Sequence, residues 1–193
     1  MLAGRGYSIF DTTVGRCGIA WGQAGVVSVQ LPEAREMETR RRMLRQHPEA
    51  RELRPPAEVE LAIEGIVTLL RGHASDFSDV VLDMQGVAPF SRRVYELVRG
   101  IPRGDIMTFA EVAKRLGASG ASHAVGQAIA RNPFTLIIPC HRVLAAAGET
   151  NAICANGGVI TKRRLLSLEG ALKSGGPTLF DVLLPVAPPG TAR

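Results

Sequence analysis

The sequence has few cysteines and no long apolar run, and both shortages exclude classes of protein. Its three cysteines, Cys17, Cys140 and Cys154, show no Cys-x-x-Cys spacing, so they favour neither a disulfide framework nor a zinc knuckle. No segment approaches the roughly 18 apolar residues of a membrane span, and the first residues lack the apolar core of a signal peptide. We therefore expect a protein of the reducing cytosol, or of the nucleus in a eukaryote, with no membrane partner.

Length and charge narrow the choice further. With 193 residues, the chain can bury one large core or two small ones, and it has no internal repeat. The net charge of +5 and pI of about 9.6 favour a polyanionic partner. An excess of this size is also common in proteins that never bind nucleic acid. Charge alone therefore leaves the partner open.

The first half predicts a small sheet followed by helices. Short β-prone runs at 7–12, 17–21 and 26–31, separated by glycine-containing turns, indicate an antiparallel meander. A charged helix is expected after Pro32 up to Gln46, a second helix over 56–71, and a strand over 79–84. The cluster at 40–42 consists of three arginines that could meet phosphate, although such a run is more often a solvated face.

The second half predicts mainly helices. Pro89 begins a helix that ends near Ile101, and the capping box Thr108-x-x-Glu111 starts a helix over 109–116. A glycine-rich turn and a helix over 121–130 complete a helix-turn-helix. A last helix spans 161–168, with Lys162 and its two basic neighbours expected in solvent. The sequence thus predicts an α/β fold in two parts, a 1–87 domain with a mixed or antiparallel sheet and an 88–172 helical domain, followed by a 173–193 tail.

One segment of the helical part combines a thiol with an imidazole. An apolar run at 136–138 predicts a buried strand that Pro139 ends, so that Cys140 and His141 follow at its exit. A nearby base can lower the pKa of a cysteine from about 8.5 toward neutrality and make it a nucleophile. A lone cysteine beside an apolar run is more often inert core. Both interpretations stay open on these residues alone.

The residues 139–143, Pro-Cys-His-Arg-Val, together with Asn132-Pro133 upstream, resemble the active-site signature of the O6-alkylguanine-DNA alkyltransferases, the suicide proteins of DNA repair. The similarity extends over about residues 85–170. It implies that Cys140 accepts an alkyl group from O6 of a guanine in double-stranded DNA, with no metal or organic cofactor. It also implies that His141 and Glu169 form a relay and that Asn132 braces the turn. Without the resemblance, a glutamate before a helix-ending glycine is ordinary surface.

The resemblance also implies a set of contacts with DNA. The helix that begins at Ser122 would lie in the minor groove, with small residues at the surface. The substrate-binding positions that it implies are Ser91, Phe109, His123, Ala124, Gly126, Arg142, Val143, Asn156 and Gly157. Carbonyl groups of Cys140 and Val143 would accept from the guanine edge, and the glycine loop would offer an N–H to the oxygen. Ser91 could equally serve as a helix cap.

Two positions depart from the family pattern. His123 stands where the family has an arginine that fills the gap left by the rotated nucleotide, and it is shorter. Phe109 stands where the family has a tyrosine whose hydroxyl donates to the guanine, and losing one such donor typically costs about 10²- to 10³-fold in rate. After the motif, Ala155 leaves open space where a larger group is usual, and Cys154 is expected to be a small structural residue.

Two other functions compete with alkyl transfer. A protein that binds damaged DNA without repairing it would tolerate both departures, whereas a thiol enzyme or sensor would never meet DNA. The alkyl-transfer interpretation requires a sulfur that solvent can reach and an imidazole that faces the Glu169 carboxylate. We expect the protein to act as a monomer.

Overall fold

The computed structural model describes residues 6–145 and 158–171, and it begins with a four-stranded mixed sheet. The strands β1 (Gly6–Thr12), β2 (Gly15–Gly22) and β3 (Gly25–Gln30) form the expected antiparallel meander. Gly15 and Gly25 adopt φ values of 118° and 123°, which glycine tolerates in tight turns. A two-residue strand, β4 (Arg51–Glu52), pairs in parallel with β1, giving the order β3-β2-β1-β4.

Two helices cover opposite faces of this sheet. Helix α1 (Glu36–Gln46) places Met43 against Tyr7 and Ala20, whereas α2 (Ala57–Leu70) packs against the face that carries Ile19. Adjacent strand residues point to opposite faces, which explains why Ile19 and Ala20 enter different cores. Both predicted helices are confirmed, with α1 starting later than expected.

The strand expected at 79–84 is wrong. This segment makes one isolated bridge, between Leu82 and Val26, on the outer side of β3. The Val26 N–H donates to Val81 O at 2.9 Å, and its carbonyl accepts from Asp83 N at 2.8 Å. One residue pair covers part of the sheet edge without extending the ladder.

The second half is mainly helical, as expected. Helix α3 (Pro89–Arg99) is followed by α4 (Phe109–Arg115) and α5 (Ser122–Ala130), which pack together around a core that includes Val94, Val112 and Val125. The two-residue strands β5 (Met107–Thr108) and β6 (Val143–Leu144) pair in parallel, and α6 (Gly158–Glu169) follows. The structure confirms the capping box, because Thr108 Oγ1 accepts from Glu111 N at 3.1 Å and Glu111 Oε2 accepts from Thr108 N at 2.6 Å.

The run at 136–138 is a turn rather than the predicted strand. Ile138 N donates to Phe134 O at 2.8 Å, and Leu136 adopts a φ of 75°, a left-handed conformation that is strained for a residue with a side chain. Leu136 and Ile137 enter the core below the N-terminal sheet, whereas Ile138 enters the helical core. The turn therefore joins the two cores that a boundary at residue 87 would separate, and that boundary stays a prediction.

Among the helices within residues 6–145 and 158–171, none combines the length and apolar character needed to cross a membrane.

Candidate active site around Cys140

Cys140 begins a single 3₁₀ turn, Cys140–Arg142, that directly follows the buried turn. Cys140 N donates to Ile138 O at 2.7 Å, and Arg142 N donates to Pro139 O at 2.9 Å. Successive residues of a 3₁₀ helix are about 120° apart, so Cys140 and His141 do not point to opposite faces as they would on a strand. The turn directs the three side chains outward in different directions, and those of His141 and Arg142 both reach Glu169.

His141 and Glu169 form a buried pair. Nε2 of His141 lies 2.9 Å from Oε1 of Glu169, so the imidazole faces the carboxylate as the resemblance implies. Burial lowers the pKa of His141, against the opposing effect of Glu169, which favours a neutral ring at pH 7. Burial alone would raise the pKa of Glu169, but the hydrogen bonds from His141 and Arg142 outweigh it and lower that pKa to about 2.

These protonation states assign the tautomer of His141. An ionised carboxylate only accepts, so Nε2 must carry the hydrogen and donate it to Glu169. Nδ1 then has a lone pair, and within the part of the chain that the structure describes this buried atom has no hydrogen-bond partner. The ring is therefore held as a base whose accepting nitrogen is Nδ1.

Arg142 lies inside the protein instead of facing a substrate. Its Nε donates to Glu169 Oε2 at 2.9 Å and its Nη2 to Glu169 Oε1 at 2.7 Å, a two-point contact, while Nη1 donates to Ile101 O. The resemblance placed Arg142 among the substrate contacts. Its guanidinium instead fixes the carboxylate that holds His141.

Asn132 ties the two ends of the buried turn together. Its Nδ2 donates to Ile138 O at 3.1 Å, and its Oδ1 accepts from Phe134 N at 3.0 Å. Both contacts are buried, so a single amide gives Phe134 N an acceptor and adds a second donor to Ile138 O, which also accepts from Cys140 N. Asn132 thereby sets the path of the chain into Pro139 and Cys140.

Cys140 is only 1% exposed, so the expectation of a sulfur that solvent can reach is wrong. The reason is the position of its turn, since Cys140 belongs to the same core as Phe134, Ile138 and the buried Tyr95. Tyr95 donates to Ala128 O at 2.9 Å and packs edge-on against Phe134. A base can therefore meet the sulfur only when groups around Cys140 move apart.

The residues implied as DNA contacts differ in exposure, and some of them lie outside the described part of the chain. His123 is exposed on α5, with Nε2 3.0 Å from Nε2 of Gln127, while Ala124 and Ser91 are half-exposed. Phe109 is half-buried against Gly126, where an added Cβ would lie 3.2 Å from the ring. Ser91 is the third residue of α3, which follows the N-cap Ala88, so it does not hold the capping position. Cys154, Ala155, Asn156 and Gly157 lie outside the described residues.

Lys162 is the residue near the site that the sequence interpretation placed wrongly. It was expected in solvent but is 1% exposed, and its Nζ donates to Val143 O at 2.6 Å. It shares one face of α6 with Leu165, Leu166 and Glu169, all buried, at three- and four-residue intervals. That spacing could have predicted the burial of Lys162, but lysine is usually exposed, and that expectation was given more weight.

Comparisons with known proteins agree with this geometry. Residues 89–171 match the family described as 6-O-methylguanine DNA methyltransferase, DNA binding domain. A methylated-DNA–protein-cysteine methyltransferase of Methanothermobacter thermautotrophicus is 38% identical over 158 residues, which cover 82% of this chain and 81% of that protein. The protein of that name from Mycobacterium tuberculosis is 37% identical over 126 residues, covering 65% and 74% of the two chains.

Solved structures extend the similarity to the fold. The structure of Mycobacterium tuberculosis OGT in complex with DNA superposes with a TM-score of 0.70 at 30% identity, covering 86% of this chain and 93% of that one. The Mycobacterium tuberculosis O6-methylguanine methyltransferase structure gives a TM-score of 0.68 at 30% identity, covering 92% and 99%. Similarity of this extent includes the N-terminal sheet as well as the helices.

Proposed function

The chain belongs to the methylated-DNA–protein-cysteine methyltransferase family, and from that premise we propose that it repairs O6-alkylguanine in double-stranded DNA by taking the alkyl group onto its own Cys140. The protein is reactant as well as catalyst, because the product is S-alkylcysteine and each molecule reacts once. The observation that carries the choice of residues is the buried pair of His141 and Glu169 beside Cys140.

His141 is the base in this proposal. Its Nδ1 takes the Cys140 proton, either directly or through one water, while Nε2–H stays on Glu169. Glu169 holds the ring in the required tautomer and stabilises the imidazolium once it forms. Asn132 acts on the turn and not on the substrate, since its amide bonds to two backbone atoms of the turn, Ile138 O and Phe134 N.

The transfer step is a single displacement. The Cys140 thiolate attacks the alkyl carbon, the S–C bond forms and the C–O6 bond breaks, and the electron pair of that bond stays on the guanine oxygen. Guanine then takes up one proton, equal in number to the one removed from the thiol, so the reaction needs no oxidant or other co-reactant. The developing charge on O6 calls for a hydrogen-bond donor, and the N–H that the family resemblance implies at the glycine loop would supply it.

The DNA side of the proposal rests on α5. Ala124 and Gly126 are small enough for a backbone to approach closely, and His123 stands exposed where it can stack in the gap left by an extruded nucleotide. Extrusion is needed because the alkyl group of a stacked base is out of reach, and it costs about a few kcal/mol. Phe109 offers a ring without a hydroxyl, and Ser91 a hydroxyl for phosphate. Cys140 O and Val143 O would accept from the guanine edge, and Asn156 and Gly157 stay predicted substrate contacts.

The solved relative in complex with DNA supports duplex DNA as the partner. We place the protein in the compartment that holds DNA, the cytosol of a prokaryotic cell or a eukaryotic nucleus, and we expect it to act as a monomer.

Mass spectrometry tests the proposal directly. We expect incubation with a duplex that contains O6-methylguanine to add one methylene mass to the Cys140 peptide, in proportion to the lesion and up to one per protein. Cys140→Ser and an undamaged duplex serve as controls, and neither should show the addition. Tighter binding to the damaged duplex with no mass gain would instead identify a protein that recognises the lesion without repairing it.

A further inference from the structure

A basic cleft lies where the carboxyl end of α5 meets the N-terminal half of the protein. Its volume is about 350 Å³, and its walls include Arg131, which follows α5, together with Arg42, Gln46 and His47 at the end of α1. Among the described residues that line it, none is acidic. The function proposed above gives neither arginine a role.

Hydrogen bonds to β3 hold the two walls of this cleft together. Val29 N donates to Pro133 O at 2.8 Å, so the chain leaving α5 is bound to the edge of the N-terminal sheet. On the same strand, Ser28 Oγ lies 2.7 Å from Nε2 of His47, which follows α1. The ends of α1 and α5 are therefore attached to one strand, and their arginines keep fixed relative positions.

The exposed face of α5 leads to the cleft. His123, Gln127 and Arg131 are exposed and recur at four-residue intervals, so they lie on one side of the helix. Arg131 follows His123 by eight residues, about 12 Å along the axis. The minor groove is only about 6 Å wide. A face that sets His123 at an extruded nucleotide therefore brings Arg131 beyond the groove, to the phosphates of its wall.

We propose that this cleft is a phosphate-binding site through which the N-terminal half joins α5 in holding the DNA backbone. This inference rests on the proposed function, because it requires α5 to lie on a duplex. Arg131 donates to a phosphate oxygen, and Arg42 adds positive potential from the other wall. The contact reads no sequence, since a phosphate is the same beside every base, and it releases a cation condensed on the DNA.

Arg131 is the main source of charge in the cleft. Its side chain is exposed, and none of the ion pairs between described residues includes it. Arg42 donates to Glu33 Oε1 at 2.7 Å, so part of its charge is already balanced. An arginine at the carboxyl end of a helix also interacts favourably with the helix dipole. That role affects stability alone, so DNA binding separates the two.

The test compares Arg131→Gln, which removes the charge, with Arg131→Lys, which keeps it. The matched control is Arg51→Gln. Arg51 is exposed on β4, at the opposite edge of the sheet from β3, so this change alters the net charge equally and far from the cleft. Affinity is measured over a range of salt concentrations for an undamaged duplex and for the same duplex with one O6-methylguanine.

We expect Arg131→Gln to lower affinity on the order of three- to tenfold and to reduce the slope of log K against log salt concentration by about 1. Both duplexes should show the same loss, because a phosphate contact does not depend on the lesion. Arg131→Lys should keep the wild-type slope, since an ammonium also binds phosphate as a point charge. Arg51→Gln should match the wild type.

Neutral methylphosphonates, placed one at a time along each strand, then locate the contact. At one phosphate, the replacement should weaken binding of the wild type and leave Arg131→Gln unaffected, because the variant has already lost that contact. At the other phosphates, both proteins should respond alike.

Three results would overturn the inference. Equal losses in Arg131→Gln and Arg51→Gln would show a general effect of net charge. A lower melting temperature of Arg131→Gln with unchanged affinity would leave Arg131 only the helix dipole. A scan in which every replacement weakens both proteins equally would show that Arg131 contacts no phosphate. Failure of the proposed function looks different, because the wild type would then gain no mass from damaged DNA whatever its salt dependence.

Discussion

Oε1 of Glu169 lies 2.9 Å from Nε2 of His141, 28 residues earlier in the chain, and both groups are buried. The same oxygen also accepts from Nη2 of Arg142 at 2.7 Å. Because Arg142 holds the carboxylate at two points, the oxygen that meets His141 cannot rotate freely. Arg142 thus fixes the position of the Glu169 carboxylate that binds His141. The relay depends on both the 3₁₀ turn and the end of α6.

Replacing Glu169 with glutamine should impair both activity and stability. The neutral amide can donate as well as accept, so it no longer fixes the tautomer of His141, and it has no charge to stabilise the imidazolium; we expect transfer to slow on the order of 10²- to 10⁴-fold. Arg142 would lose its buried anion, which should lower the free energy of unfolding by about 3 kcal/mol or more. Single-turnover transfer and urea unfolding measure the two effects. Glu96→Gln, on the exposed side of α3, is the control and should change neither.

Acid should weaken the fold in two steps. The pKa of His141 in the folded protein lies below its ordinary 6.5, so unfolded chains take up that proton first and stability falls as pH drops below 6.5. Glu169, with a folded pKa of about 2 against 4.5, contributes stability that is lost as pH falls from 4.5 toward 2, about 3 kcal/mol in total.

Urea unfolding at a series of pH values measures this loss. Glu169→Gln should flatten the plot of unfolding free energy against pH below pH 4.5. Above pH 4.5, the slope that His141 causes should remain. Parallel curves for the two proteins would show that Glu169 does not titrate in this window.

Local patterns were enough to predict most of the fold. Apolar residues at three- and four-residue intervals identified α2, and alternation with glycine turns identified the meander. The same reasoning could not find β4, because two residues form a strand only through their pairing with β1. It also could not tell a strand from a buried turn at 136–138, since three apolar residues look alike in either. The segment forms a turn because Leu136 and Ile137 pack in the N-terminal core while Ile138 packs in the helical core, and those contacts exist only in the folded chain.

The sequence was enough to predict which residues form the site, but not how deeply Cys140 is buried. The motif named Cys140, His141, Asn132 and Glu169, and the structure brings His141 and Glu169 into contact and sets Asn132 on the turn. What the sequence could not indicate was the depth of Cys140, because burial depends on how Leu136 and Ile138 enter separate cores. The His141–Glu169 contact and the burial of Cys140 both depend on residues that are far apart in the sequence.

Removing the Asn132 amide should destabilise the turn. Asn132→Ala leaves Phe134 N buried without this acceptor and Ile138 O with Cys140 N alone, which we expect to lower the free energy of unfolding by about 1–3 kcal/mol. Urea unfolding measures the loss. Gln127→Ala, which removes an exposed amide on α5, should stay within about 0.5 kcal/mol of the wild type. An equal effect of both changes would mean that Asn132 is not a brace.

Cys140 should react with alkylating reagents well before Cys17. Both side chains are almost fully buried, so burial alone predicts equal protection. Burial raises the pKa of Cys17 to about 11, against a smaller opposing effect of Thr12, whereas Cys140 adjoins His141. We expect at least about tenfold faster labelling of Cys140 by iodoacetamide at pH 7.5, read from the masses of the two peptides. Equal rates would show that the imidazole does not activate Cys140.

Restoring the two unusual positions on the DNA side should raise the transfer rate. Phe109→Tyr adds a hydroxyl to a ring already packed against Gly126, and a donor to the departing base is worth about 10²-fold or more when it is well placed. His123→Arg extends an exposed side chain at the start of α5 and adds a permanent positive charge. We expect the tyrosine to increase the rate at saturating DNA and the arginine to increase affinity for the damaged duplex.

Single-turnover kinetics over a range of DNA concentrations separates these two effects, and the double variant should combine them because the residues act on different steps. Gly126→Ala provides the opposing control, since a Cβ 3.2 Å from the Phe109 ring pushes the ring by a few tenths of an ångström and should slow transfer without changing Cys140. If Phe109→Tyr leaves the rate unchanged while Gly126→Ala lowers it, the ring itself positions the base and the hydroxyl has no place to donate.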